Sequence, residues 1–252
     1  MTWVRSFIYM IFLIVTVIPY AVLCTLCAPL PQHWRYRITM GWPRLAVWGA
    51  KVIVGIRWQV RGWENLPDTP VVILSKHQSA WETLWFPAYM PHQLCFVYKR
   101  ELHWVPFFGW GLALLDMIAI DRTDRRGAME QVMKLGKARL AENRWPILFP
   151  EGTRVPPGTV GRYLPGGARL AVGAGVPVVP VAHNAGELWP RKAFLKRPGV
   201  ITVSIGPPIP SDGLTPTELN EKVKDWIETE MTTLNGKARV ASPSRKAHER
   251  RS

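Results

Sequence analysis

Residues 70–82 read PVVILSKHQSAWE, and this stretch decides the fold. Pro70 to Ser75 is a short apolar run with β-branched residues, the pattern of a buried strand. It stops at polar Lys76 and His77, and Glu82 follows in what reads as the first turn of a helix. Five more runs look alike: 93–98 (QLCFVY), 117–120 (MIAI), 145–149 (WPILF), 176–182 (VPVVPVA) and 200–205 (VITVSI). The two prolines of the 176–182 run predict a strand at a sheet edge. Helical patterns lie between 120 and 145, over 165–175, and over 216–234 behind Thr215-Pro216. Strands alternating with helices predict an α/β fold, a single domain with a mixed sheet flanked by helices.

The chain has 252 residues, enough for one such domain with a sizeable core. Hydrophobic residues make up 48%, which excludes wholesale disorder. Cys24, Cys27 and Cys95 are too few for a disulfide framework. The formal net charge is +14, and its distribution matters more than its size. Residues 1–61 carry seven Lys or Arg and no acid, and residues 237–252 carry six against one acid. The stretch between them has nineteen basic and seventeen acidic residues, so the basicity belongs to the ends. A nucleic-acid-binding domain would carry its charge across a folded face, so no nucleic-acid partner is expected.

Ser6 to Gln32 holds no charged residue, and its core, FIYMIFLIVTVIPYAVLCTLCAPL, is long enough to span a bilayer. Trp3 and Trp34 flank it, where indoles favour the headgroup region. The run is too long for a signal peptide, and no A-x-A pattern closes it. A single span, a hairpin and a helix lying in the interface all fit it. Six basic residues follow within about 30 positions and one precedes it, which places the bulk of the chain in the cytoplasm, at the inner membrane. The expected organisation is a membrane-embedded segment (1–34), a basic-aromatic membrane-surface helix (35–61), a folded domain (62–236) and a basic disordered tail (237–252).

Four blocks carry chemistry. In Lys76-His77-Gln78-Ser79-Ala80-Trp81-Glu82, five helical steps turn about 500°, so His77 and Glu82 cannot share a helix face. With His77 in a loop and Glu82 in a first helical turn, the chain folds back and pairs them. A carboxylate on one ring nitrogen then leaves the other as a base. The second block, residues 98–110, sets Lys99 and Arg100 before an aromatic run broken by Pro106; paired cations suit a phosphate, and the aromatic run suits lipid. The third, Phe149-Pro150-Glu151-Gly152-Thr153-Arg154, combines a glycine that permits close backbone approach with a planar guanidinium. The fourth is VPVVPVAHNAG, 176–186. Each block alone is equally at home in an ordinary loop or core strand.

Their combination, in this order, resembles the glycerolipid acyltransferase family. The four blocks span 76 to 186, and the likeness extends loosely over about 40–210. The family's first block is usually Asn-His-x-x-x-x-Asp; here Lys76 stands for the Asn and Glu82 for the Asp. The resemblance implies transfer of a fatty acyl group from acyl-CoA or acyl carrier protein to a lysolipid hydroxyl. The expected acceptor is lysophosphatidic acid at its sn-2 position, giving phosphatidic acid. The resemblance makes His77 the general base and Glu82 its orienting partner. Lys99, Arg100, Glu151, Gly152, Thr153 and Arg154 position the acceptor phosphate, and the fourth block helps shape the acyl site. No cofactor and no metal are implied; Cys24-x-x-Cys27 lies in the apolar run without partner ligands. The rival readings are another lysolipid acceptor, such as lyso-ornithine lipid or another lysophospholipid, and lipid binding without catalysis.

Overall fold

The computed structural model describes residues 1–105, 108–121 and 123–234. The basic tail, and Pro106 and Phe107 of the second block, lie outside the described residues. The chain opens with three helices, α1 (Thr2–Leu26), α2 (Gln32–Thr39) and α3 (Gly41–Gly49), the last running into a π-turn, Ala50–Val54. Then come β1 (Ile56–Arg61), β2 (Val72–Ser75), α4 (Trp81–Tyr89), β3 (Leu94–Lys99), α5 (Phe108–Leu114) and β4 (Ile118–Ile120). The chain continues through α6 (Arg125–Ala141), β5 (Trp145–Leu148), α7 (Gly166–Ala174), β6 (Val178–His183), α8 (Ala185–Leu188), β7 (Gly199–Ile205) and α9 (Pro216–Leu234). All six strands expected from apolar runs are present, within a residue or two of their sequence boundaries.

The seven strands form one sheet in the order β1-β7-β6-β2-β5-β3-β4. Every pairing is parallel except β6 with β7, so the sheet is mixed, as expected. Both faces are covered, which is why the central strands are continuously apolar. Ile73, Ile147, Val179, Val181 and Val203 pack on one face with Trp81, Trp85 and Trp145. Val72, Leu74, Val178 and Ala182 pack on the other, beneath α6, α7 and α9.

Two expectations need correction. Residues 56–61 are not part of a surface helix: β1 pairs with β7 over six residues. Gly55, at φ +90°, ends the π-turn in a conformation that side chains disfavour, and a Cβ there would meet Pro198. The following six residues alternate buried and open, the period of an edge strand. Secondly, β6 is not an edge strand but sits between β7 and β2. Pro180 is tolerated there because β6–β7 pairing runs only over Val181–His183. Beyond that point the Pro180 carbonyl accepts from Gly206 N–H at 2.9 Å as the partner chain leaves the sheet.

Helix α1 lies along the domain instead of standing away from it. Ser6, Tyr9, Ala21 and Cys24 are buried. The Tyr9 hydroxyl donates to Ala46 C=O at 2.9 Å, and the Tyr20 hydroxyl to Ile38 C=O at 2.6 Å. The outer stripe, with Val4, Ile8, Ile11, Val15, Ile18, Val22 and Leu26, stays exposed.

Candidate active site

Parallel strands end on one side of a sheet, so the blocks that follow β2, β3 and β5 are delivered to the same edge. In open α/β sheets that edge is where ligands bind. His77 leaves β2 there. Glu82 lies in the first turn of α4, and its Oε1 accepts from His77 Nδ1 at 2.9 Å, Gln78 N–H at 2.9 Å and Ser79 N–H at 2.8 Å. The Ser79 hydroxyl in turn accepts from Trp81 N–H at 3.0 Å, so Ser79 and Glu82 form a capping box. The carboxylate that caps α4 is therefore the one that orients the histidine. A glutamate in this place reaches both, its extra methylene notwithstanding.

An ionised carboxylate accepts only, so His77 Nδ1 carries the proton and Nε2 is left basic. Burial pushes the Glu82 carboxyl up; its neighbours His183 and His77 and the hydrogen bonds from His77 and Ser79 outweigh it and hold the group below its ordinary value. The His77 ring stacks on Phe149, centroids 3.9 Å apart, which fixes its plane. Behind it, the buried His183 donates from Nε2 to Lys76 C=O at 2.8 Å, and its Nδ1 accepts from Ala185 N–H at 3.3 Å. Both contacts require a neutral ring, and burial pushes its pKa down.

The third block is stitched to the first. Glu151 Oε2 accepts His77 N–H at 3.0 Å, and Val155 N–H donates to His77 C=O at 2.9 Å. Glu151 Oε1 takes the Lys76 ammonium at 2.7 Å and Gly161 N–H at 3.2 Å. Both Glu151 oxygens are thus occupied by protein donors, and this residue holds the loops together instead of offering a free group to a phosphate. Burial raises its pKa, against the pull of Lys76. Removing one partner of such a buried pair costs about 3–5 kcal/mol. Gly152, at φ +66°, makes the turn that brings Thr153 and Arg154 round.

A cavity of about 1210 Å³ opens beside His77. Lys99, Gly152, Thr153 and Arg154 line it; Arg100 is exposed outside the lining. Most of its wall is apolar, and Val17, Tyr20 and Ala21 of α1 line it together with Met40, Leu112 and Met117. Four further cations that the blocks do not contain, Arg162, Arg169, Arg191 and Lys192, also line it. No residue of the fourth block borders the cavity; β6 is core, and its contribution to the site is His183. Lys76, read from sequence only as a departure, belongs to a buried network with Glu151, Glu228 and Tyr163.

A histidine–carboxylate pair at the ends of parallel strands, beside a mostly apolar cavity that cations also line, can take a proton from a hydroxyl on an amphiphilic substrate. The model of the acyltransferase family matches residues 57–184. The chain belongs to that family. It is 44% identical, over 95% of its length and 95% of the relative's, to the 1-acyl-sn-glycerol-3-phosphate acyltransferase of Pseudomonas aeruginosa. It is 31% identical to the mouse 1-acyl-sn-glycerol-3-phosphate acyltransferase alpha, over 76% of this chain and 68% of that protein. Among solved structures it resembles the 1-acyl-sn-glycerophosphate (LPA) acyltransferase PlsC of Thermotoga maritima, with a TM-score of 0.78, 22% identity, and coverage of 95% of this chain and 98% of that one.

Proposed function

We propose that the protein moves a fatty acyl group from acyl-CoA or acyl carrier protein to the sn-2 hydroxyl of lysophosphatidic acid, giving phosphatidic acid. The observation that carries this reading is the His77–Glu82 pair, 2.9 Å apart, beside a mostly apolar cavity that Lys99, Arg154 and four further cations also line. The named activity of the Pseudomonas relative agrees with it. His77 Nε2 takes the proton of the acceptor hydroxyl as that oxygen bonds to the thioester carbonyl carbon. Glu82 stabilises the resulting imidazolium. The carbon–sulfur bond then breaks, and the thiolate takes its proton back from His77. Lys99 and Arg154 hold the acceptor phosphate, Arg100 adds to the field from outside, and Gly152 and Thr153 shape the turn they stand on. Glu151 serves by anchoring His77.

The membrane supplies the acceptor. Helix α1 has 25 residues and contains an 18-residue stretch with a mean hydropathy of 2.5, long and apolar enough to cross a bilayer. Because its inner face is docked on the domain, its exposed stripe, with Trp34, Trp48 and Val52 nearby in sequence, suits burial in the lipid of one leaflet. The basic N-terminal segment, residues 1–61, favours the anionic cytoplasmic face of the inner membrane.

The test is an acceptor comparison. Purified protein in mixed micelles receives acyl-CoA with lysophosphatidic acid, lysophosphatidylcholine or lyso-ornithine lipid, and products are resolved by mass spectrometry. Phosphatidic acid as the dominant product supports the reading, and a clear preference for another lysolipid overturns the acceptor. Arg154→Ala is expected to raise the acceptor KM about tenfold with little change in kcat; an unchanged KM removes its phosphate role.

A further inference from the structure

The Lys76 side chain is 1% exposed, and all three of its ammonium hydrogens have acceptors. These are Glu151 Oε1 at 2.7 Å, Glu228 Oε1 at 2.7 Å and Thr159 C=O at 3.2 Å. Glu228 comes from α9, outside the span matched by the family, and none of the four blocks contains it. Its Oε1 also accepts the Tyr163 hydroxyl at 2.7 Å. Neither Lys76 nor Glu228 borders the cavity. A continuous chain of contacts therefore runs from α9 through Glu228, Lys76 and Glu151 to the backbone N–H of His77.

We propose that Glu228 is a positioning residue for His77, holding the Lys76 ammonium between two carboxylates so that ionised Glu151 keeps its grip on the histidine loop. This rests on the reading of His77 as the base. With Glu228 gone, one ammonium hydrogen and the Tyr163 hydroxyl lose their acceptor, and Lys76 is free to tilt toward Glu151. With Lys76 gone, Glu151 and Glu228 face each other without a cation, and a proton taken up by Glu151 replaces an acceptor with a donor. Because the pair touches no substrate, its loss acts on turnover and not on substrate affinity.

The experiment combines kinetics with amide hydrogen exchange on full-length Glu228→Ala, Glu228→Gln, Lys76→Met and the Lys76→Met/Glu228→Gln double variant. Glu228→Ala is expected to lower kcat about tenfold with both KM values within about twofold, and Lys76→Met to lower it further. Glu228→Gln keeps the shape and an acceptor oxygen, so it folds and loses less. In the Lys76→Met background, Glu228→Gln is expected to cause no additional loss. Exchange over residues 75–82 rises in Glu228→Ala and Lys76→Met, while α6 is unchanged. Wild-type kcat and unchanged exchange in a folded Glu228→Ala protein overturn the proposal, as does a double variant whose loss is the product of the two single losses. If the wild type itself transfers no acyl group, the proposed function fails, and exchange over 75–82 still decides whether Glu228 positions this loop.

Discussion

At the residue scale the site is built from side chains that act on backbone. His183 shows what this requires. Its Nδ1 must accept from Ala185 N–H and its Nε2 must donate to Lys76 C=O, so the ring holds its place only when neutral. The folded imidazole therefore binds a proton less readily than the unfolded one, whose ordinary value is about 6.5. Its contribution to stability is full above that value and drains away as pH falls below it. Thermal unfolding from pH 8 to pH 5 is expected to show a steeper acid loss in the wild type than in His183→Gln; equal slopes contradict the assignment. Of these residues, His77 and Glu82 are legible in the sequence because loop-to-helix spacing lets them meet. The inward turn of Glu151 is not, since a sequence does not say which way a carboxylate points. Glu228 is invisible beforehand: 152 positions separate it from Lys76.

At the scale of elements, α4 links fold and chemistry. Its cap is the Ser79–Glu82 box, and the Glu82 oxygen that closes the box also holds His77. Ser79→Ala removes the bond to Trp81 N–H and is expected to cost about 1 kcal/mol of stability. It is also expected to lower kcat, because the start of α4 sets where Glu82 stands. Full activity with the loss of stability alone would separate the cap from the chemistry. The signature Ser-x-x-Glu was present at 79–82 and would have placed the start of α4 from sequence. Six strands were readable because they are short, largely apolar runs, and β2, β5 and β6 at the centre are covered on both faces. β1 was not: it is an edge strand whose residues alternate, and its Arg57, Trp58 and Arg61 continue the basic-aromatic composition of the helices before it. β6 was readable as a strand but misplaced, because the two prolines mark only where the pairing with β7 stops.

On the scale of the whole molecule, one edge of the sheet gathers three blocks, and α1 borders the cavity that opens there. The cavity beside His77 is walled in part by α1 itself, so the helix proposed to meet the membrane also borders the space an acyl chain would occupy. Lysines at Ile11 and Ile18, both on the exposed stripe, would each cost about 2.5–3.5 kcal/mol in the lipid interior. Co-sedimentation of Ile11→Lys/Ile18→Lys with anionic vesicles is expected to fall more than tenfold, with turnover of a short-chain, water-soluble acceptor retained; undiminished co-sedimentation would move the membrane face elsewhere. The central claim is that His77 is the base for acyl transfer. It is tested most directly by thiol release from acyl-CoA, with and without lysophosphatidic acid, in wild type and in His77→Ala of matched thermal stability. The account predicts release that requires the lysolipid and falls at least about a hundredfold in His77→Ala. Lysolipid-dependent release at the wild-type rate from folded His77→Ala protein would contradict it.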